Sequence, residues 1–117
     1  MLTARNANGK RGENLACNYL KNQGFRILER NHRLGRSEID IISRDRDILV
    51  FVEVRTRSSS TYGFPEQTIS SRKEEVILQG AEEYMHRINW NGRIRFDIIA
   101  IELYPTVEIE HFQDVFG

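Results

Sequence analysis

Two adjacent runs of β-branched and aromatic residues constrain the fold most, because each contains an acid where an apolar residue is expected. The runs cover residues 37–43 and 48–57, and the polar residues between them predict a turn. Asp40 lies in the first run and Glu53 in the second. A carboxylate in a central strand is costly unless a partner compensates its charge. The pair of strands therefore predicts a polar site within a hydrophobic sheet.

The turn between these strands sets how the two acids face each other. A two-residue loop at 46–47 and a four-residue loop at 45–48 both give the same antiparallel register. In that register Asp40 lies directly opposite Glu53, so the two carboxylates share one face of the sheet. We therefore expect that they can share a cation.

The residues that follow Glu53 suit the chemistry of such a cation. Period two along the strand puts Arg55 on the face of Glu53 and leaves the carbonyl of Val54 near the metal position. Mg²⁺ or Mn²⁺ would then be held by Asp40, Glu53 and Val54, since Mg²⁺ needs only one or two carboxylates beside water and substrate phosphate. This arrangement is typical of phosphodiester hydrolysis, in which Arg55 offsets the charge of the transition state.

Composition limits the class of protein. A length of 117 residues with 39% hydrophobic content predicts a single domain, residues 1–117, with a core that needs no disulfide or metal. Cys17 is the single cysteine, which excludes a disulfide framework or a cysteine zinc site within one chain. No apolar run approaches the roughly 20 residues of a membrane span, and residues 1–5 lack the core of a signal peptide. We expect a soluble, cytoplasmic protein.

The charges are balanced overall but not along the chain. The sequence has 17 basic and 17 acidic residues, which argues against a protein that coats nucleic acid indiscriminately. Residues 1–36 hold eight Lys or Arg against two Glu, a net charge of +6, and the remainder carries −6. This asymmetry suggests one basic face that can meet a polyanion. A solvated charge run is the more common explanation.

Hydrophobic periodicity predicts two helices and five strands in the order αβββαββ. The first helix is expected to open at Asn8 or Gly9 and to end near Asn22, and the second to begin with a capping box at Ser71 and to end near Arg87. The polar connection 58–65 either closes over a ligand or is an ordinary exposed loop. The predicted strands are residues 25–33, 37–43, 48–57, 93–103 and 107–112.

Three further charged residues have a structural and a functional interpretation. Glu13 lies at the edge of the first helix's buried face and could reach the strand pair, or it is simply a first-turn acid favoured by the helix dipole. Lys73 lies on the inward face of the second helix, where it either extends its ammonium to water or points at a substrate phosphate. Asp97 interrupts an apolar strand, and we expect it to be structural, held by an arginine or by a hydrogen bond that closes a turn.

The order of these residues resembles the PD-(D/E)XK nuclease superfamily, and a set of fragments resembles the YraN family, which is similar to archaeal Holliday-junction resolvases. The resemblance implies an α/β fold with a restriction-endonuclease-like core, in which a mixed central sheet of about five strands is flanked by helices. The fragments are residues 12–16, 19–20, 24–28, 31–33, 38–42, 50–54, 57 and 95–97, that is GENLA, YL, GFRIL, NHR, EIDII, VFVEV, Arg57 and RFD.

The same resemblance implies roles for particular residues. Asp40 and Glu53 would hold the metal, Glu13 would assist from the first helix, and Lys73 or Gln67 would touch phosphate. DNA is the implied partner, in repair or recombination. Contacts to it are expected at Arg33, Arg36, Arg57, Gln67 and Arg72.

Two positions depart from the family pattern. Arg55 stands where the superfamily usually has lysine, and because arginine stays charged it can bind phosphate but cannot act as a general base. Activity would then be weakened or would depend on Lys73. Ser37 replaces the glycine expected before Glu38.

Three hypotheses follow from the sequence. The chain is a metal-dependent nuclease for DNA, including branched DNA; or a nucleic-acid-binding module without catalysis; or a structural domain in which Asp40, Glu53, Arg55 and Arg57 form an ion network. A homodimer is compatible with each of them.

Overall fold

A computed structural model describes residues 4–59 and 70–116. It contains helices α1 and α2 and one five-stranded sheet in the predicted order αβββαββ. The elements are α1 (Ala4–Asn22), β1 (Arg26–Leu34), β2 (Ser37–Asp45), β3 (Ile48–Ser59), α2 (Ser71–Ile88), β4 (Arg93–Tyr104) and β5 (Glu108–Phe112).

The sheet is mixed, as predicted, and its spatial order follows the sequence from β1 to β5. Strands β3 and β4 are parallel, and all other neighbours are antiparallel. A parallel pair needs a crossover connection, and α2 lies in the segment between these two strands. Strand β3 is therefore central: it pairs with β4 along almost its whole length and with β2 over residues 48–52.

Each face of the sheet is covered by one helix. Ala16, Cys17 and Leu20 of α1 pack with Val50 and Val52 in one core cluster. On the opposite face, α2 contributes to a second cluster that contains Leu49 and Phe51. Consecutive residues of β3 thus enter opposite clusters, as period two requires. Because β3 is apolar on both faces, a carboxylate within it has no route to bulk solvent except at a break in the packing.

The helix boundaries differ from the prediction at their N-terminal ends. Helix α1 begins at Ala4 and not at Asn8 or Gly9, so these two weak helix formers lie inside the helix and do not start it. The N-cap of α2 is Ser70, whose hydroxyl accepts a hydrogen bond from the Lys73 backbone N–H. The capping box placed at Ser71 was therefore wrong by one residue.

The turn between β2 and β3 is the two-residue alternative. Asp45 pairs with Ile48, and Arg46 adopts a left-handed backbone with φ of 58°. A positive φ at the first loop residue suits the tight turns that match the twist of antiparallel strands. The short loop sets the register of the whole β2–β3 pair.

Glycines allow both helices to lie close to the sheet. A Cβ on Gly12 of α1 would be 2.8 Å from the Thr56 Cγ2 of β3. A Cβ on Gly80 of α2 would be 2.7 Å from the Ser37 Cβ of β2. The Ser37 hydroxyl at this contact is buried and has no hydrogen-bond partner. The α2 contact is thus sterically full, and it leaves a polar group unsatisfied.

We expect Gly80→Ala to lower the free energy of unfolding by about 1–3 kcal/mol, the usual range for overpacking. In a Ser37→Gly background the clashing atoms are absent, and Ala is the better helix former by about 1 kcal/mol. The same substitution should then be neutral or stabilising. Urea unfolding of the four proteins in this cycle measures the difference, and an equal loss in both backgrounds would contradict the contact.

Candidate active site

Asp40 lies where β2 and β3 separate. The paired residues of the two strands run from Asp45–Ile48 to Ile41–Val52, in the register predicted from the sequence. The next position would pair Asp40 with Glu53, but the backbone pairing ends there. Instead, the side chain of Asp40 pairs with β3: its Oδ2 accepts a 2.8 Å hydrogen bond from the Val54 N–H. A side chain thus completes the edge of β3, and the gap between the strands becomes accessible.

The face of the sheet also changes at Asp40. Ile41 packs in the cluster with α1, whereas Ile39, two residues earlier, packs in the cluster with α2. Regular period two would put both side chains on one face. The neighbouring strand β1 is irregular at the adjacent position, because Asn31 has a left-handed backbone with φ of 48°. Asp40 therefore lies between the two faces and not firmly on either.

Glu13 of α1 binds the side chains of β1 at this irregular position. Its Oε1 accepts hydrogen bonds from the Asn31 amide at 2.8 Å and from the Arg30 guanidinium at 3.1 Å. Since α1 begins at Ala4, Glu13 is not in the first turn, and the helix-dipole interpretation was wrong. Glu13 does reach the sheet, but it contacts β1. Its influence on Asp40 is electrostatic, through the repulsion of two carboxylates.

Glu53 carries two cationic partners on the α2 side of the sheet. The Lys73 ammonium contacts Glu53 Oε1, and the Arg55 guanidinium lies 3.4 Å from Oε2. The Glu53 side chain is only 9% exposed, whereas that of Lys73 is 55% exposed. Lys73 is in the first turn of α2, where its backbone N–H is fixed by the cap at Ser70. The lysine therefore directs its charge inward, to the acid of β3.

These groups line one cavity of about 460 Å³. Its polar wall contains Asp40, Glu53, Arg55 and Lys73. Its apolar wall is formed by Phe51, Ile77, Phe96 and Phe116. The volume is within the range of about 300–1,000 Å³ that is common for small-molecule sites.

A second cavity, of about 500 Å³, lies on the α1 side. Asp40 and Val54 line both cavities, and Glu13, Thr56 and Ser58 line only the second. The two cavities therefore meet where β2 and β3 separate. A ligand in either cavity could therefore contact Asp40.

Burial raises the pKa of Asp40 from 3.8 to about 6. The hydrogen bond from the Val54 N–H acts in the opposite direction, and the nearby Glu53 and Glu13 carboxylates add to the increase. At neutral pH the folded protein therefore holds an ionised carboxylate in a place that disfavours its charge. Such strain is common at functional sites, although structural networks also produce it.

The donor set is compatible with a hard divalent cation. Two carboxylates are enough for Mg²⁺ when water and substrate complete the shell, and the Val54 carbonyl is on the strand edge that faces Asp40, because a residue's N–H and C=O point to the same neighbour. Within residues 4–59 and 70–116, no group of three or more His, Cys, Asp or Glu could hold a metal by itself. A cation here would therefore depend on backbone, water or substrate oxygens.

The residues predicted to bind nucleic acid are dispersed. Arg33 is exposed and pairs with Glu38 at 3.0 Å, while Arg36 is exposed in the β1–β2 turn. Arg72 is exposed in the first turn of α2, next to Lys73, and Arg57 is half-buried on β3. None of the four that the structure describes lines either cavity, although Arg36, Arg57 and Arg72 are each within two residues of a lining residue in the sequence. Gln67 and residues 60–65 of the predicted connection lie outside the described residues.

Asp97 has the structural role expected of it. It pairs across the sheet with Val52, and so it faces α1 and not the Glu53 side. Burial alone would raise the pKa of Asp97, but hydrogen bonds from His111 and Arg95 hold that pKa below its usual value. The distances are 2.7 Å to His111 Nε2 and 2.8 Å to Arg95 Nε. Of the ion network predicted for Asp40, Glu53, Arg55 and Arg57, the structure describes the Glu53–Arg55 pair, which Lys73 joins. Asp97 belongs to a separate network with Arg95 and His111.

Phe116 and Asn31 are parts of the site that the sequence did not indicate. Phe116 lines the same cavity as Glu53 and Lys73, and Asn31 is at the irregular position of β1. A single aromatic residue after the last strand belongs to no spacing pattern. For Asn31, the usable signal was that Asn adopts positive φ more readily than most residues.

A family model matches residues 12–101, which is most of the chain, and its description is uncharacterised protein family UPF0102. The chain belongs to UPF0102. This confirms the family resemblance derived from the sequence fragments. The match includes Glu13, Asp40, Glu53 and Lys73 and ends before β5.

Curated relatives agree with this assignment. UPF0102 proteins of Cytophaga hutchinsonii and Persephonella marina are 44% and 47% identical over 93 and 94 residues. Each alignment covers 80% of this chain and 82% or 81% of the relative. A UPF0102 protein of Lawsonia intracellularis is 44% identical over 110 residues, which are 92% of this chain and 83% of that protein.

Among solved structures, the chain is similar to SfsA of Pyrococcus furiosus in complex with Ca²⁺, with 16% identity and a TM-score of 0.32. The similarity covers 91% of this chain and 62% of SfsA. It is too low to support an argument about fold or function.

In the part of the chain that the structure describes, neither helix has the length and apolar character needed to cross a membrane.

We expect Asp40→Asn to stabilise the metal-free protein, and to do so more at high pH than at low pH. The folded-state pKa of Asp40 is above the ordinary value of 3.8, so the destabilisation by its charge is absent below that pH, grows up to about 6 and is complete above it. Asn keeps an oxygen for the Val54 N–H. The gain should therefore approach about 1–3 kcal/mol at pH 8 and vanish near pH 3.5.

Urea unfolding in EDTA at several pH values between 3.5 and 8 measures this difference. Glu75→Gln is the control, since Glu75 is an exposed acid that lines neither cavity. Its effect should change little with pH. A gain from Asp40→Asn that is the same at all pH values would show that the Asp40 carboxylate is not buried as described.

Proposed function

We propose that this UPF0102 protein is a metal-dependent endonuclease that hydrolyses phosphodiesters in DNA, including branched or otherwise structured DNA, in repair or recombination. One observation carries the proposal. Two carboxylates, Asp40 and Glu53, and two cations, Arg55 and Lys73, line a single cavity at the point where two strands separate. This is the set of charges that phosphodiester hydrolysis uses.

Each side chain has a distinct task in this proposal. Asp40 and Glu53, with the Val54 carbonyl, would hold a Mg²⁺ or Mn²⁺ ion. When bound, the ion supplies Lewis-acid activation of water and phosphate. Arg55 binds a non-bridging phosphate oxygen and offsets the charge that develops in the transition state. Asp40 is already oriented by the Val54 N–H, so little rearrangement is needed to form the site.

Lys73 compensates for the absence of lysine at position 55. Its ammonium reaches Glu53 from α2, while Arg55 reaches the same carboxylate from β3. Arginine binds phosphate through a planar fork, whereas lysine is a compact charge with three donors that can turn toward different acceptors. We therefore divide the usual role of one lysine: Arg55 binds phosphate, and Lys73 orients the attacking water.

We expect the wild-type protein with Mg²⁺ or Mn²⁺ to cut at least one member of a panel of linear, nicked and four-way DNA substrates. Asp40→Asn and Glu53→Gln should each lower the rate by a factor of about 10² or more, because each removes a negative ligand of the cation. Lys73→Met should reduce the rate by about 10²–10³, the usual cost of removing one preorganised donor. Single-turnover cleavage assays measure these changes.

Arg87→Ala is the matched control for Lys73. Arg87 is an exposed cation in the last turn of the same helix, and it lies outside the residues that line the cavity. Its loss should leave the cleavage rate unchanged. Failure of the wild type to cut any substrate, or cutting that is unaffected by Asp40→Asn and Glu53→Gln, would contradict the proposal.

A second candidate is a nucleic-acid-binding module without catalysis. The contact of Glu53 with both Lys73 and Arg55 favours it, because a carboxylate that is already neutralised attracts a metal less strongly. In that case DNA binding should weaken with salt and survive Asp40→Asn with Glu53→Gln. Calorimetry with Mn²⁺ separates the two candidates, since the nuclease requires metal binding that these substitutions remove.

A further inference from the structure

Three phenylalanine rings form a stack that ends in the cavity lined by Glu53, Arg55 and Lys73. Phe51 and Phe96 are paired neighbours on β3 and β4, and their ring centroids are 5.3 Å apart with an angle of 22° between planes. Phe116 stacks on Phe96 at 4.7 Å and 30°. Phe51 and Phe96 are buried, whereas Phe116 is half-buried. Phe116 is therefore the outermost ring of the stack, and it lines the cavity that contains Glu53.

The position of Phe116 is fixed by its neighbours in the chain. The Val115 N–H donates a 2.8 Å hydrogen bond to the Phe96 carbonyl, and the Asp114 N–H donates one of 3.1 Å to Asp97 Oδ1. Asp114 has a left-handed backbone with φ of 57°. These contacts hold the segment after β5 against β4. The ring is thus a positioned part of the cavity wall.

The two walls of this cavity differ in chemistry. Arg55 and Lys73 provide positive charge on one side, and Phe116 with Ile77 provides an apolar and aromatic surface on the other. A nucleotide has the same division, with an anionic phosphate and a flat base. Stacking of a base on an aromatic side chain contributes about 1–3 kcal/mol and depends little on which base it is.

We infer that the cavity binds one unpaired nucleotide of a DNA strand, with its base on Phe116 and its phosphate at Arg55. This inference rests on the proposed function and specifies its substrate. A base inside an intact duplex is covered on both sides by its neighbours, and its removal from the stack costs a few kcal/mol, least where the base is already unpaired. The site therefore selects DNA with an unpaired nucleotide, at a gap, flap or branch point, over intact duplex.

The test uses the full-length protein and two versions of one gapped duplex. In the first, the gap contains a single unpaired thymidine, and in the second it contains an abasic residue with the same phosphates. Affinities are measured in EDTA, so that no strand is cut. We expect the wild type to bind the thymidine version about tenfold more tightly. Phe116→Leu should lose that preference, and Phe116→Trp should keep it.

This design separates the base contact from folding and from electrostatic binding. Leucine keeps an apolar group against Phe96, so the segment after β5 stays in place. Affinity for the abasic DNA should be the same for all three proteins. Tyr104→Leu, which removes an exposed aromatic residue outside the cavity, should keep the tenfold preference.

The outcomes distinguish the two proposals. If the wild type cleaves DNA but binds thymidine and abasic versions equally, the nucleotide pocket is wrong and the nuclease proposal stands. If the thymidine preference depends on Phe116 but no substrate is cut, the pocket is right and the chain is a binding module. Equal preference in wild type and Phe116→Leu would also overturn the role of the ring, and absence of DNA binding would overturn both.

Discussion

The hydrogen bond from the Val54 N–H to the Asp40 carboxylate determines the rest of the site. A β-strand edge must satisfy its backbone donors, and a neighbouring strand normally does so. Here a side chain satisfies the donor, and β2 is free to turn away from β3 at that residue. The separation admits solvent to the middle of the sheet. One interaction thus ends the pairing of two strands, orients an acid and joins the cavities on the two faces.

The carboxylate of Glu53 presents the complementary problem. It is on the central strand and almost fully buried, and charge neutralisation comes from Lys73 and Arg55 on two different elements. Removal of one partner from a buried ion pair is usually more harmful than replacement of the whole pair by apolar residues. The arrangement therefore makes little sense as a means to stability alone. It places two cations and two acids around one accessible cavity.

The sequence predicted those parts of the fold that depend on local pattern. The register of β2 and β3 followed from the two-residue turn, and the alternation of Leu49 to Val52 gave the two faces of β3. The same parity rule could not show that β2 changes face at Asp40, because the change requires a left-handed residue, Asn31, in the next strand.

Tertiary placement explains the remaining differences at the site. The role of Glu13 was misjudged because the first helix begins several residues earlier than its composition suggests. Lys73 had two equal interpretations in the sequence, because the direction of its side chain depends on how α2 lies across β3. Phe116 belongs to no periodic segment at all. Each of these residues acquires its role from a contact between elements distant in the sequence. Such contacts cannot be predicted from a local sequence pattern.

Asp97 shows how the two faces of the sheet depend on each other. Its carboxylate is on the α1 side, where it binds Arg95 and His111, and His111 also contacts Tyr19 of α1. Yet its other hydrogen bond, from the Asp114 N–H, fixes the segment that carries Phe116 to the opposite face. The buried ion network therefore specifies where the chain crosses the sheet edge. Desolvation of the buried charges offsets much of their attraction, so the placement of the segment after β5 is the effect of this network that the structure shows directly.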